Sequence, residues 1–304
     1  MTPIKITTVV DKNEDFIEWQ YKSIKKFVKG NDVEYIVFNN ANNDNQREKI
    51  NNICNNLKIK VIDLYVNYSL DFSQIHAEAM NQMWQHLKNE NGFLFHFDSD
   101  MFFVSEINFE QIGKNYDVSY IPQYRDNFNV KYMWAGIFFL NLNTINKNID
   151  FSICYNGDKT DSGGATQYFL QNNYIELYSK FCTIMDFDEN KLDTSLNGCT
   201  EFIKFTNNVP DKKYCDTRFF PHEKENINYL EDYRLEYDKH KELVNKYSFP
   251  KPYIFDLIKF DGEKDYFIFH YKSANWLDRY GNGLSDHATT KKESLKKMLI
   301  DLGV

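Results

Sequence analysis

The chain has 304 residues, of which 42% are hydrophobic and 26% charged, so it can bury the core of one large α/β domain or two small ones. Its 36 basic and 44 acidic side chains give a net charge of −8, which disfavours a nucleic-acid partner. The five cysteines form no CxxC pair, which argues against a disulfide framework or a structural zinc site and favours a reducing compartment.

The sequence shows no signal for secretion or membrane insertion. The N-terminal segment goes directly into a strand pattern and lacks the apolar region of a secretory signal. No apolar run is long enough to span a bilayer. We therefore expect a soluble, cytoplasmic protein, with peripheral attachment to a membrane left open, and we predict no oligomeric state.

The N-terminal part of the chain alternates β-branched runs with segments of helical apolar spacing. This alternation predicts parallel strands joined by right-handed crossovers. The predicted elements are strands at 4–10, 33–38 and 59–64 and helices at 11–28 and 46–57.

A third helix is predicted from the four-residue spacing of its apolar side chains. Ser73 is placed at its N-cap, and the buried side is formed by Ile75, Ala79, Met83 and Leu87. This helix leads directly into the strand that carries the main functional signal.

The rest of the chain continues the mixture of strands and helices without an internal repeat or a Pro-rich linker. We expect one domain over residues 1–304, with a core at about 1–205 and a helical insertion, closing strand and closing helix at about 206–304. The predicted elements after the third helix are strands at 93–97, 117–122, 131–142, 199–204 and 264–270 and helices at 165–171, 223–247 and 289–302.

Two carboxylates follow the apolar run Phe93–Phe97, which has the pattern of a fully buried strand. Asp98 and Asp100 are costly at the edge of a core unless they are solvated, paired or bound to a metal. A strand of an open α/β sheet would carry them into the crevice where such folds bind ligands. Together with Ser99 they offer hard oxygen ligands suited to Mn²⁺ or Mg²⁺, although a solvated turn is the alternative.

A second cluster lies near the C-terminus, where His270 ends another apolar strand. Its imidazole could complete the protein ligands of the metal, and Lys272 could supply positive charge to a diphosphate. The alternative is an ordinary histidine at the edge of the core.

Taken in order, the segments LFHFDSD, WAGIFFLNL, DSGGATQYFL and FHYKSANW resemble the landmarks of the GT-A glycosyltransferases, which use nucleotide sugars. The resemblance runs from Ile4 to Trp276. Its last segment is similar to the HxxGxxKPW pattern of glycogenin-like retaining enzymes, but Ser273 replaces the glycine and the Lys-Pro pair is missing. Retaining stereochemistry is therefore only weakly implied, whereas the histidine role falls on His270.

The resemblance implies an α/β fold of the GT-A, Rossmann-like type, with a mixed, mostly parallel sheet flanked by helices and a helical C-terminal embellishment. It also implies a metal site and a donor site. The metal ligands would be Asp98, Asp100 and His270. The groups that contact the nucleotide-sugar donor would be Thr7, Thr8, Val9, Asn39, Asn40, His76, Asp98, Ser99 and Lys272.

The same resemblance places three further residues at the reacting sugar. Trp134 would offer a flat apolar face, Gly136 would let the backbone approach closely, and Asp161 would contact a sugar hydroxyl or act as a base. Strand packing and a helix N-cap are the structural alternatives for these residues. Arg218 and His222 are weaker candidates for contacts with the acceptor or a phosphate.

The expected function is therefore a metal-dependent transfer of a hexose from a nucleoside-diphosphate sugar, with UDP favoured, to a hydroxyl of a glycan, lipid or protein. A phosphatase of the haloacid-dehalogenase type also has an apolar strand ending in DxD, but it expects Thr or Val where Phe102 stands. A nucleotidyltransferase would need a Gly-rich basic loop after the first strand, and the sequence has no such loop there. A non-catalytic sugar-nucleotide or glycan-binding module remains an alternative.

Overall fold

A computed structural model describes residues 2–30, 32–125, 130–156, 158–172, 177–178, 201–203, 242–250, 255–258, 266–271 and 285–304. Most of the helix predicted at 223–247 lies outside these residues, as do Lys272, Arg218 and His222.

Among the strands and helices that the described residues form, those that were predicted differ from their predicted bounds by a few residues at most ends. The strands are β1 (Pro3–Val10), β2 (Asp32–Asn39), β3 (Lys60–Asp63), β4 (Phe93–Phe97), β5 (Met101–Phe103), β6 (Val118–Arg125), β7 (Val130–Asn141), β8 (Tyr155–Asn156), β9 (Asp158–Lys159), β10 (Leu177–Tyr178), β11 (Glu201–Ile203), β12 (Asp256–Ile258) and β13 (Ile268–His270). The helices are α1 (Asp15–Phe27), α2 (Asp44–Leu57), α3 (Phe72–Leu87), α4 (Phe109–Asn115), α5 (Thr166–Asn172) and a C-terminal α6 (Ser285–Asp301), and residues 242–247 are also helical.

Within the described residues the main sheet has eight strands in the order β10-β11-β6-β7-β4-β1-β2-β3. The four strands β4, β1, β2 and β3 are parallel, whereas the pairings of β7, β6, β11 and β10 are antiparallel. Among the six strands from β6 to β3, three of the five pairings are parallel. The expected α/β fold with a mixed sheet is therefore confirmed, and it is compatible with a Rossmann-like architecture.

Helices cover both faces of this sheet. Successive side chains of a strand point to opposite faces, so a strand can contribute to two cores. Ile4, Ile6 and Val10 of β1 share a core with apolar residues of α1 and α2. Leu94 of β4 belongs to a second core on the opposite face, together with Met80, Met83 and Trp84 of α3. The β4 strand is buried throughout, as its continuous apolar run predicts.

A smaller sheet, which the sequence patterns did not predict, has the order β12-β13-β5. The β5 strand follows β4 after a short turn and pairs antiparallel with β13, so that Met101 is opposite His270. Aromatic residues of these strands, among them Phe102 and Phe269, form a third core with Phe16 of α1 and Leu295 of α6. This sheet connects the middle of the chain to its C-terminal part.

The start of α3 differs from the prediction. Asp71, not Ser73, is the N-cap: its carboxylate accepts from the Gln74 backbone N–H at 3.1 Å, and the Gln74 side chain accepts from the Asp71 N–H at 3.3 Å. This reciprocal pair is a capping box. The N-cap assignment to Ser73 is therefore wrong, and Ile75, expected to be buried, is only partly buried.

In the part of the chain that the structure describes, no helix has both the length and the apolar character needed to cross a membrane.

Candidate metal centre

The two carboxylates predicted as metal ligands lie on a tight turn between β4 and β5. The Asp98 N–H donates to the Gly136 carbonyl of neighbouring β7 at 2.8 Å, and the Met101 N–H closes the turn by donating to the Asp98 carbonyl at 3.1 Å. Both flanking strands, β4 and β5, are buried. The turn lies at the carboxyl end of β4, which is parallel to β1. Open α/β sheets bind ligands at such ends.

The pairing of β13 with β5 brings the third predicted ligand to this turn. His270 follows two buried residues of β13, and the next residue, Tyr271, donates its N–H to the Asp100 carbonyl at 2.8 Å. The Nε2 atom of His270 lies 3.4 Å from Oδ1 of Asp100. One ligand atom from each of Asp98, Asp100 and His270 lies within 4.8 Å of the other two.

This donor set fits a divalent cation. Two ligands on one Mg²⁺-sized ion can be at most about 4.2 Å apart, so the Asp100–His270 separation already fits and small side-chain movements would close the rest. Two carboxylates and one imidazole leave further coordination positions for oxygens of a bound substrate. The Asp98 side chain is 28% exposed, whereas Asp100 and His270 are 10% and 7% exposed, so the centre opens on the Asp98 side.

The electrostatic surroundings of Asp98 also favour a cation. Burial raises the pKa of Asp98, and the neighbouring carboxylates of Asp100 and Asp161 raise it further, whereas His76 and His270 oppose this shift. Several carboxylates in a partly dehydrated place repel each other, and a bound cation would relieve that repulsion.

His76 and Asp161, which the resemblance placed at the donor and the reacting sugar, both lie near Asp98. The Nε2 atom of His76 is 4.0 Å from Oδ1 of Asp98, and its Nδ1 atom is 2.8 Å from the hydroxyl of Ser162. Asp161 accepts from the Ser162 N–H at 2.8 Å, and its own N–H donates to the Tyr132 hydroxyl at 3.2 Å. The 161–162 loop and α3 thus meet beside the turn.

Trp134 and Gly136 of β7 line the same place. The Trp134 ring centroid is 5.4 Å from that of His270, and the two planes are tilted by 47°. A Cβ atom added to Gly136 would lie 2.5 Å from Oδ2 of Asp98 and 2.6 Å from the Trp134 ring. Only a residue without a side chain at position 136 leaves room for both the Asp98 carboxylate and the Trp134 ring.

The predicted base-pocket residues of β1 lie in the core. Thr7 is fully buried, and its hydroxyl lies 3.7 Å from Sδ of Met83 and 3.1 Å from Nδ1 of His96. Burial, with a smaller electrostatic contribution from His76, lowers the pKa of His96 to about 3, so this imidazole is neutral. Thr8 is also fully buried, and Val9 packs against the core beneath α3. These contacts support a structural role for Thr7 and do not favour its contact with the base of a nucleotide.

The two asparagines at the end of β2 are also engaged with the protein. The Asn39 side chain donates to the Arg47 carbonyl at 3.0 Å and to Oδ1 of Asn51 at 2.9 Å. Asn40 is 5% exposed, and the Tyr68 hydroxyl lies 3.0 Å from its carbonyl and 3.2 Å from its side-chain oxygen. Their contacts favour a role in the loop after β2 over direct base recognition.

Two polar residues near the centre were not predicted from the sequence. Ser162 orients the His76 ring, and burial raises the pKa of Asp11, which follows β1 and interacts electrostatically with His76. A carboxylate directly after a parallel strand was the available signal for Asp11, since it is also what marked Asp98. Ser162 gave no comparable signal beyond its position next to Asp161.

No protein-family model matches the sequence, and no curated protein matches it closely enough to count as a relative. The fold and the site together define an α/β protein with a candidate divalent-metal centre at the carboxyl end of β4.

Proposed function

We propose that the chain is a metal-dependent glycosyltransferase of the GT-A type, which transfers a hexose from a nucleoside-diphosphate sugar to a hydroxyl of a glycan, lipid or protein. A UDP-sugar is the favoured donor and Mn²⁺ or Mg²⁺ the favoured cation. The observation that supports this proposal most strongly is that His270, which lies far downstream in the sequence, meets Asp98 and Asp100 at one strand end.

In this proposal Asp98, Asp100 and His270 hold the cation, which would supply Lewis-acid stabilisation of the diphosphate leaving group. Asp98 also faces the donor, because it is the most exposed of the three. Trp134 would offer a flat apolar face to a sugar ring beside Asp98.

Asp161 is a further carboxylate that interacts electrostatically with Asp98, and it would contact a sugar hydroxyl or accept a proton from the acceptor. His76 is held by Ser162 with its other ring nitrogen directed towards Asp98. This arrangement would orient the donor without holding the cation. Retaining stereochemistry stays the weakly favoured outcome, and the cysteine usage favours a cytoplasmic setting.

The first prediction is that Mn²⁺ and a nucleoside diphosphate together raise the melting temperature of the protein, and that Asp100→Asn abolishes this effect. At a ligand concentration of 100 times Kd, the free energy of unfolding should rise by about 2.7 kcal/mol in the wild type. Asparagine keeps the shape of Asp100 but removes its charge, so the fold is retained while the cation loses a charged ligand. Thermal-shift measurements with and without Mn²⁺ check this.

Glu106→Gln is the matched control, because it removes one carboxylate that is 74% exposed and pairs with Lys29 at 3.5 Å, outside the centre. The control should behave as the wild type. A nucleotide effect that survives Asp100→Asn would contradict the proposed site. Slow Mn²⁺-dependent hydrolysis of the nucleotide sugar supports a transferase, whereas turnover of p-nitrophenyl phosphate without a nucleotide would indicate the phosphatase. Nucleotide binding without hydrolysis or transfer would indicate the binding module.

A further inference from the structure

A buried glutamine of α1 holds both ends of the turn that carries Asp98 and Asp100. The Gln20 side chain is fully buried, and its Nε2 atom donates to the Asp98 carbonyl at 2.9 Å and to the Met101 carbonyl at 2.9 Å. These carbonyls belong to the first and the last residue of the turn. One side-chain amide therefore fixes the distance between the two ends.

The orientation of this amide is determined by its third contact. The Tyr35 hydroxyl of β2 donates to Oε1 of Gln20 at 2.6 Å. The reverse orientation would place Oε1 against two carbonyl oxygens, which would repel it. A side chain that donates twice from one atom and accepts on another must be Gln or Asn, and Asn is one methylene shorter.

A second polar residue of α1 strengthens the same attachment. The Ser23 hydroxyl donates to the Gln20 carbonyl at 2.8 Å and accepts from the Phe103 N–H of β5 at 3.3 Å. Gln20 lies on the apolar side of α1, between Phe16 and Ile24, where an apolar residue would be expected. A buried polar side chain is costly unless it is hydrogen-bonded, so its contacts here have a specific role.

We propose that Gln20 is a positioning residue for the metal centre. By holding the Asp98 and Met101 carbonyls, it sets the backbone between them, and with it the direction of the Asp98 and Asp100 carboxylates towards His270. This inference rests on the proposed function, because it concerns the same cation. Metal ligands that are oriented by surrounding hydrogen bonds bind their ion more tightly than free ones.

The experiment measures the Mn²⁺ affinity of the full-length protein by the electron paramagnetic resonance signal of free Mn²⁺, without nucleotide. Gln20→Met removes the three side-chain contacts but keeps the length of the side chain, and it should raise Kd by about 10- to 100-fold. Tyr35→Phe removes only the hydroxyl that orients the amide, and it should raise Kd by less. Circular dichroism establishes that each variant is folded at the temperature used.

Ile24→Ala is the matched control, because it opens a cavity on the same side of α1 one turn further on but leaves the contacts of Gln20 in place. It should lower stability and leave Kd unchanged. Wild-type affinity in folded Gln20→Met, or an equal loss in Ile24→Ala, overturns the inference. If Gln20→Met does not fold, unchanged affinity in Tyr35→Phe overturns it. Absence of Mn²⁺ binding by the wild type instead refutes the proposed function, and the inference with it.

Discussion

The glycine at position 136 determines how closely two groups of the centre approach each other. Gly136→Ala would place a methyl group 2.5 Å from Oδ2 of Asp98 and 2.6 Å from the Trp134 ring. Both neighbours would have to move, at a cost in stability of about 1–3 kcal/mol. Because one of them is a proposed metal ligand, we predict that Gly136→Ala also weakens Mn²⁺ binding, as measured by isothermal titration calorimetry.

Gly113→Ala separates this effect from overpacking alone. Its added methyl group would overlap the Phe93 ring at the start of β4, the end of the strand away from Asp98. This variant should lose stability and keep its Mn²⁺ affinity. If Gly136→Ala and Gly113→Ala bind Mn²⁺ with equal affinity, Gly136 does not shape the centre.

The three residues of the candidate metal centre were predictable from the sequence, whereas the residues that support them were not. Asp98 and His270 each follow apolar residues, and the contrast marks them; Asp100 is marked by its spacing of two from Asp98. Gln20 had a weaker signal: it is a polar residue within the apolar stripe of Phe16, Ile24 and their neighbours. Its partners are two backbone carbonyls and the Tyr35 hydroxyl of another strand, contacts that a sequence does not identify.

At the scale of elements, the start of α3 provides a direct test of the capping box. Asp71→Ala should lower the free energy of unfolding by about 1 kcal/mol, because the Gln74 N–H loses its acceptor. Ser73→Ala should change it by less than about 0.5 kcal/mol, the usual range for a substitution without such a contact. Urea denaturation of both variants measures the difference, and a larger loss in Ser73→Ala would contradict the assignment.

The sequence contained the correct signal for this helix start, but the pattern was assigned to the wrong residue. Asp71 is followed three positions later by Gln74, the spacing of a capping box, whereas position 76, three residues after Ser73, is a histidine. Longer elements with clear periodicity, such as β1 and α2, were predicted to within two residues. The short β5 was missed because its three residues are stabilised by pairing with β13, a contact distant in sequence.

At the scale of the whole molecule, the order of β1, β2 and β3 follows from local connections, but the positions of β4 and of the antiparallel strands do not. Alternating strands and helices predict neighbours in a parallel sheet, and β1, β2 and β3 are such neighbours. The position of β7 between β4 and β6 depends on which strand edges remain to be paired. The small sheet likewise depends on pairing between strands that are distant in sequence. Its pairing of β13 with β5 places His270 next to the turn.

A cation at the centre would join the turn after β4 to the C-terminal strand β13. Without a cation, these two parts of the chain are connected by backbone pairing and apolar packing. Mn²⁺ bound by Asp98, Asp100 and His270 would oppose any opening that separates β13 from β5. We predict that Mn²⁺ slows amide hydrogen exchange in β13 and at the Tyr271 N–H, which donates to the Asp100 carbonyl. At 100 times Kd, exchange through such openings should slow by up to about 100-fold.

The comparison needs a variant that keeps the small sheet and loses the ligand. His270→Gln keeps a polar side chain at the end of β13 and leaves the backbone pairing with Met101 unchanged. In this variant Mn²⁺ should slow exchange at the Tyr271 N–H much less than it does in the wild type. Equal slowing in the wild type and in His270→Gln would mean that the cation is held by the carboxylates of the turn alone, and that the C-terminal strand contributes its packing but no ligand.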